Sequence, residues 1–137
     1  MKLWKQVQQL FGGKPQLPLP PPRLSFPNDE PELEVPEITV EELRAKLASS
    51  TPPLVIDVRE PYEWRLVRMA AARHLPMNDV PGEVETLPRD REVVVICAHG
   101  SRSYSVAAWL IEQGIVASSL AGGITAWANQ GGAVAQG

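Results

Sequence analysis

Residues 93–103 read Val93-Val94-Val95-Ile96-Cys97-Ala98-His99-Gly100-Ser101-Arg102-Ser103. The four consecutive β-branched residues at the start are typical of a strand buried on both faces, as in a parallel sheet. From Ser103 onward apolar residues recur at helical spacing as far as Gly114, a residue suited to follow the end of a helix. This order predicts one strand, loop and helix of an α/β sheet, with the only cysteine of the chain in the loop.

The position of Cys97 favours a reactive thiol. A loop between a strand and a helix lies at the carboxyl edge of the sheet, where open α/β folds bind their ligands. Backbone N–H groups and the helix dipole favour a thiolate there, Arg102 and a protonated His99 would add positive charge, and Gly100 allows the loop to curl. We therefore predict a lowered pKa for the Cys97 thiol. The alternative is a small, inert residue buried in the core.

Two further segments accompany this loop. Leu54–Glu60 contains an Asp-Val-Arg run, and Leu120–Trp127 contains a pair of glycines ahead of a tryptophan. Together with Cys97–Ser103 they resemble, in order, the first core strand, the closing segment and the active-site loop of single-domain rhodaneses, which are sulfurtransferases. The resemblance covers residues 37–129. It implies an α/β fold of three layers around a doubly wound parallel sheet.

The resemblance also implies roles for individual residues. Cys97 would be the catalytic nucleophile, and the rest of the loop would bind the substrate: Ala98, His99, Gly100, Ser101, Arg102 and Ser103. Asp57 and Arg59 would support the site structurally, and Gly122 and Gly123 would let the backbone turn tightly beside the loop. From its place at the end of a strand, we expect Asp57 to hydrogen-bond loop amides near Cys97. Otherwise it caps a helix or pairs with Arg59 at the surface.

The chemistry implied by the resemblance is sulfur transfer through a cysteine persulfide. Cys97 would take a sulfane sulfur from a small anionic donor, thiosulfate or a persulfide. A thiol, which can belong to a protein, or cyanide would then accept it. We expect no cofactor and no metal. One alternative is a non-catalytic or carrier module recruited by its N-terminal arm. Another is a cysteine phosphatase or arsenate reductase, but those loops usually place five residues between Cys and Arg, whereas four separate Cys97 from Arg102.

Composition and hydropathy argue against several other classes of protein. A formal net charge of −3 over 137 residues leaves no basic surplus to neutralise phosphates, so we expect no nucleic-acid partner. A single cysteine fits a reducing compartment. No apolar run has the length of a membrane span, and no signal-peptide core is visible. We expect a cytoplasmic monomer with one folded domain at residues 37–137.

Residues 1–36 are predicted to form an N-terminal arm in two parts. Met1–Phe11 has apolar residues at helical spacing with lysines between them, which predicts a short amphipathic helix. The residues that follow, up to Pro36, are rich in proline and predict an extended linker. The helix would attach the protein peripherally to a membrane surface or dock on a partner protein. The alternative is a helix that packs on its own domain or remains without fixed structure.

Local sequence also gives expectations for the segment after Glu60 and for the C-terminal part of the chain. Arg68–Ala72 differs from the turn that rhodaneses usually carry before their next strand, and its Ala and Met residues predict that the short helix beginning near Glu60 runs longer. Ile115–Leu120 is predicted to be the last strand. A closing helix follows it, and Gly131–Gly137 is expected to fray.

Overall fold

The structure is a computed structural model that describes residues 34–137. The amphipathic helix predicted for residues 1–11, and the predicted linker up to residue 33, lie outside the described residues. In chain order the helices and strands are β1 (Glu37–Ile38), α1 (Val40–Leu47), β2 (Leu54–Asp57), α2 (Pro61–Leu66), β3 (Val67–Met69), β4 (Arg73–His74), α3 (Val80–Glu83), β5 (Val93–Ile96), α4 (Ser101–Glu112), β6 (Ala117–Leu120), α5 (Gly123–Asn129) and β7 (Val134–Gln136).

Five of these strands form one parallel sheet in the order β1-β6-β5-β2-β4. β5 lies at its centre, where Val95 is in register with Ile56 of β2 and Ser119 of β6. Because β5 has a paired strand on each side and side chains packed on both faces, all four of its residues are buried. The parallel sheet predicted from the sequence is confirmed.

Side chains from the two faces of the sheet enter separate cores. Val95 belongs to a buried cluster with Leu110 of α4. The side chain of the preceding residue, Val94, points to the opposite face of the sheet. It belongs to a second cluster with Leu43 of α1 and Trp127 of α5. Helices therefore cover both faces of the sheet, and the predicted three-layer doubly wound fold is confirmed.

The segment after α2 differs from its prediction. α2 ends at Leu66, and the chain continues directly as strand β3, so the expectation of a longer helix through Arg68–Ala72 is wrong. Met69 is completely buried at the end of β3, and Arg68 pairs with Ala135 of β7 in an antiparallel register. Burial and pairing with a distant strand outweigh the modest helix propensity of the segment.

The C-terminal residues are also ordered differently from the prediction. β6 is not the last strand, and Gly131–Gly137 does not fray, because β7 pairs with β3. Trp127 anchors this segment: its indole N–H donates to the carbonyl of Ala133 at 3.0 Å. A side chain at Gly132 would overlap the Trp127 ring. Both contacts come from a helix that precedes the segment, which a reading of the terminal residues alone does not reveal.

The sheet places three loops at one edge. β2, β5 and β6 are neighbours and parallel, so their carboxyl ends meet there. The loop after β5 leads into α4, whose end is marked by Gly114 with φ +88°, as its place in the sequence indicates. None of the helices within residues 34–137 is long and apolar enough to cross a bilayer.

Candidate active site

The loop after β5 wraps its backbone around the Cys97 sulfur. The backbone N–H groups of Gly100 and Ser103 donate to Sγ at 3.1 and 3.3 Å, and the Ser103 hydroxyl lies 3.4 Å from it. Only 1% of Cys97 is exposed. The sulfur is thus held among hydrogen-bond donors at the beginning of α4.

Gly100 makes this curl possible through its backbone conformation. It precedes the first residue of α4 with φ +112°, in the region that favours glycine. A β-carbon there would lie 3.4 Å from the backbone nitrogen of Gly122, which is an ordinary contact distance. Glycine is therefore required at this position by the dihedral angle rather than by lack of space.

The surroundings of Cys97 favour its ionised form. Burial raises the pKa of the Cys97 thiol, but hydrogen bonds from the Ser103 side chain and from the backbone N–H groups of Ser103, Gly100 and His99 lower it by more. The net result is a pKa below the ordinary cysteine value. The sequence predicts the same direction, although it assigns part of the effect to positive charge on Arg102 and His99.

Arg102 is bound by an acidic residue from another helix. Its guanidinium donates to both carboxylate oxygens of Glu63 of α2, at 2.9 and 3.0 Å. Hydrogen bonding to Glu63 raises the pKa of Arg102, and the same bond lowers the pKa of Glu63. Sequence reasoning missed Glu63. The signal available was an acidic residue in the first turn of a helix that follows a neighbouring strand of the same sheet.

Asp57 and Arg59 form an ion pair in the interior at the end of β2. The exposed fractions are 0% for Asp57 and 3% for Arg59, and Nη2 of Arg59 donates to Oδ2 of Asp57 at 2.8 Å. Arg59 also donates to the carbonyl of Val67, which ties β2 to the start of β3. The pairing of Asp57 with Arg59 is therefore as expected, but it lies in the interior rather than at the surface. The expectations that the Asp57 carboxylate accepts from loop amides near Cys97, or that it caps a helix, are wrong, because Arg59 engages it and Glu60 caps the helix that follows.

Gly122 and Gly123 bring the N-terminus of α5 against the cysteine loop. Both have positive φ, at +76° and +60°. A β-carbon on Gly123 would overlap the backbone of Cys97 and Ala98. This close approach lets the N–H of Ile124 donate to the Cys97 carbonyl at 2.9 Å. The first turn of α5 thus fixes the backbone that presents the sulfur.

Comparison with known proteins decides the family. The sequence model of the Rhodanese-like domain matches residues 39–130. This chain belongs to the rhodanese-like domain family. It is 40% identical, over 96 residues, to a protein of Allochromatium vinosum named sulfurtransferase, a match that spans 69% of this chain and 90% of the relative.

Other relatives of this rhodanese-like domain agree. It is 34% identical over 75 residues to the thiosulfate sulfurtransferase GlpE of Pseudomonas fluorescens, a match that covers 54% of this chain and 69% of the relative. The crystal structure of a rhodanese-related protein from Thermoplasma volcanium superposes with a TM-score of 0.68 at 29% identity, and covers 74% of this chain and 99% of that one.

One contact of the rhodanese-like site was not predicted. Ser119 of β6 is completely buried, and its Oγ lies 2.8 Å from Oγ of Ser103. Ser103 is also completely buried and lies 3.1 Å from the carbonyl oxygen of Gly100. The signal in the sequence was a pair of serines, Ser118 and Ser119, inside a segment with the pattern of a buried strand.

The remaining loop residues differ in accessibility. Ala98 is partly buried, whereas His99 and Ser101 are exposed at the mouth of the loop. His74 at the end of β4 is engaged elsewhere, since its ring stacks on Trp64 with the centroids 4.7 Å apart and its Nε2 lies 2.9 Å from the Arg59 carbonyl. The hydrogen-bond contacts of the sulfur within the described residues thus come from backbone N–H groups of the loop and from one side chain, that of Ser103.

Proposed function

We propose that this rhodanese-like domain is a sulfurtransferase that carries a sulfane sulfur on Cys97. The observation that supports this proposal most strongly is the ring of N–H donors and the Ser103 hydroxyl around Sγ, which lowers the pKa of the thiol. A thiolate is the nucleophile that sulfur transfer requires. The names of the relatives in Allochromatium and Pseudomonas describe the same class of reaction.

In the first half-reaction the Cys97 thiolate attacks the outer sulfur of the donor. A new S–S bond forms to Sγ, the S–S bond of the donor breaks, and the bonding electron pair leaves with the departing group. From thiosulfate that group is sulfite, and from an alkyl persulfide it is a thiolate. No external oxidant or reductant is needed because the sulfane sulfur keeps its oxidation state.

In the second half-reaction an acceptor attacks the outer sulfur of the Cys97 persulfide. If the acceptor is cyanide, it takes the sulfur and becomes thiocyanate. If the acceptor is a thiolate, including that of a protein, it becomes a persulfide. The electron pair of the broken bond returns to Sγ, and the N–H groups of Gly100 and Ser103 stabilise the thiolate that is released. The two steps together constitute ping-pong covalent catalysis.

The other residues of the site have supporting roles in this mechanism. The loop from Ala98 to Ser103 binds the anionic donor, with the charge of Arg102 at its mouth. Glu63 holds the Arg102 guanidinium in place. The Asp57–Arg59 pair and the Gly122–Gly123 turn keep the ends of the neighbouring strands in position.

The deciding experiment is the mass of the intact protein after incubation with thiosulfate, before and after addition of cyanide. We expect a gain of one sulfur, about 32 Da, that cyanide reverses, as a covalent intermediate on the thiol requires. Cys97→Ser is the matched control, because it removes the only thiol of the chain and keeps a hydroxyl in its place. Absence of any gain from thiosulfate and from alkyl persulfides, with the fold intact, would refute the proposal.

A further inference from the structure

Three side chains connect β6 to the cysteine loop. Oγ of Ser119 lies 2.8 Å from Oγ of Ser103, and Oγ of Ser103 lies 3.4 Å from Sγ of Cys97. The carbonyl of Gly100 is a further neighbour of the Ser103 hydroxyl, at 3.1 Å. Both serines are completely buried and Cys97 nearly so, so these groups depend on one another for hydrogen bonds.

On the basis of the role proposed for Cys97, we propose that Ser119 is a positioning residue that acts through Ser103 to stabilise the Cys97 thiolate. Ser119 does not touch the reacting sulfur in the contacts described above. Its effect depends on how the single proton of each hydroxyl is shared along the chain of contacts.

The proton count differs between the two forms of Cys97. A thiolate can only accept, and so can the Gly100 carbonyl. Consider the arrangement in which Ser103 gives its one proton to one of these two neighbours rather than to Ser119. The 2.8 Å contact with Ser119 is then a hydrogen bond only if Ser119 donates. That bond holds the Ser103 hydroxyl in place and polarises it toward the acceptor.

The protonated form of Cys97 needs Ser119 less. The thiol S–H can itself donate to Oγ of Ser103, whose own proton then goes to the Gly100 carbonyl or to Ser119. If the Ser119 hydroxyl is lost, Oγ of Ser103 can still accept a hydrogen bond from the S–H group while Cys97 is a thiol. Once Cys97 is a thiolate, neither Cys97 nor residue 119 can donate to that oxygen. The substitution should disfavour the thiolate selectively.

The charged groups around Cys97 are independent of this chain of contacts. The charge of Arg102 of α4 acts on Cys97, on Glu63 of α2 and on Glu60, the residue before α2. His99 lies in the loop itself. The Asp57–Arg59 pair closes the end of β2. β6 and the first turn of α5 carry no titratable side chain. Replacing Ser119 changes none of these charges, so a change in the ionisation of Cys97 would report the hydroxyl contact.

The neighbouring residue Ser118 provides a matched control. It lies on the same strand and is equally buried, at 1% exposed, but its hydroxyl donates to Glu92 at 2.9 Å. Because adjacent residues of a strand point to opposite faces, Ser118 has no route to Cys97 through Ser103. Ser118→Ala removes the same atom from the same strand.

The experiment measures the rate at which iodoacetamide alkylates Cys97 as a function of pH, followed by intact mass in the full chain. In Ser119→Ala we expect the midpoint of the profile to move to higher pH, and the rate below the wild-type midpoint to fall about three- to tenfold, as loss of one hydrogen bond to the ionised form predicts. Ser119→Thr keeps a hydroxyl and should return the midpoint toward that of the wild type. Ser118→Ala should leave it unchanged.

An unchanged profile in Ser119→Ala, or an equal shift in Ser118→Ala, would overturn the proposal. Thermal unfolding of each variant verifies that the fold is retained. Alkylation requires no sulfur donor. A failure of sulfur transfer with the expected shift would therefore count against the proposed function alone, and normal transfer with an unchanged profile would count against Ser119 alone.

Discussion

The Arg102 guanidinium donates to both carboxylate oxygens of Glu63, at 2.9 and 3.0 Å, and joins the cysteine loop to α2. Glu63 also accepts from the backbone N–H of Glu60 and so closes the capping box of its own helix. One carboxylate therefore orders the beginning of α2 and holds the arginine at the mouth of the site. It also offsets the positive charge that an anionic donor would meet there.

We expect Glu63→Gln to lower the KM for thiosulfate by about two- to fivefold, since the partly exposed ion pair offsets only a modest part of the Arg102 charge. The glutamine oxygen can still accept from Glu60 and from Arg102, which preserves the helix cap. The effect should weaken at high salt. Steady-state kinetics at two ionic strengths measure it. A higher KM would show instead that the carboxylate is needed to orient Arg102.

Arg102→Ala should weaken donor binding much more than it slows the acceptor step. Loss of a charge-assisted contact predicts a rise of about ten- to a hundredfold in the KM for thiosulfate. The rate at which cyanide discharges preformed persulfide should change little, and single-turnover measurements separate the two steps. Arg89→Ala is the control, since Arg89 donates to the Gln113 carbonyl at the far end of α4. Unchanged saturation by thiosulfate would remove Arg102 from the site.

The lowered pKa of Cys97 predicts a stability that depends on pH. The folded chain loses the Cys97 proton at a lower pH than the unfolded chain does. In the window between the two pKa values the unfolded state binds more protons, so the free energy of unfolding rises with pH. This contribution is complete above the ordinary cysteine pKa and is lost as pH falls through the lowered one.

Denaturant titrations of wild type and Cys97→Ser across this range test the linkage. As pH rises through this window, the free energy of unfolding of the wild type should increase relative to that of the variant. The rate of persulfide formation should rise as pH passes the lowered pKa of Cys97 and then level off, because the folded thiol is already ionised above it. A difference in stability that is independent of pH would show that the thiol has its ordinary pKa in the folded protein.

Gly123→Ala should damage both stability and activity. Its φ of +60° is unfavourable for alanine, and the β-carbon would overlap the backbone of Cys97 and Ala98. We expect a loss of about 2–4 kcal/mol in the free energy of unfolding, and a fall in persulfide formation because the loop must move. Gly82→Ala is the control, since a β-carbon there meets nothing within 4 Å. Equal stability of the two variants would contradict this account.

The part of the site that could be predicted from sequence is local. The run from Val93 to Ser103 contains a buried strand, a loop with glycine at the required position and the start of a helix. Each of these depends on residues a few positions apart. The Gly122–Gly123 turn could be predicted for the same reason, since few residues other than glycine adopt two successive positive φ angles.

The parts that could not be predicted depend on distant partners. Nothing near Arg102 in the sequence indicates that Glu63, 39 positions away, binds it. The contact between Ser119 and Ser103 requires β6 to lie beside β5 in one register. A sequence pattern shows that serines are buried but not which polar group each one meets.

The chain by itself therefore determines the strand, loop and helix around Cys97, because hydrophobic periodicity and glycine conformation act over short distances. The three-layer fold is indicated by the resemblance of three motifs, in their order along the chain, to those of rhodaneses. Only the tertiary structure decides that Asp57 pairs with Arg59 in the interior, that β7 joins β3, and that Ser119 reaches the cysteine through Ser103. The physical reason is that a buried polar group can no longer hydrogen-bond to water. It must then pair with whichever polar groups the packing of the strands and helices brings close to it.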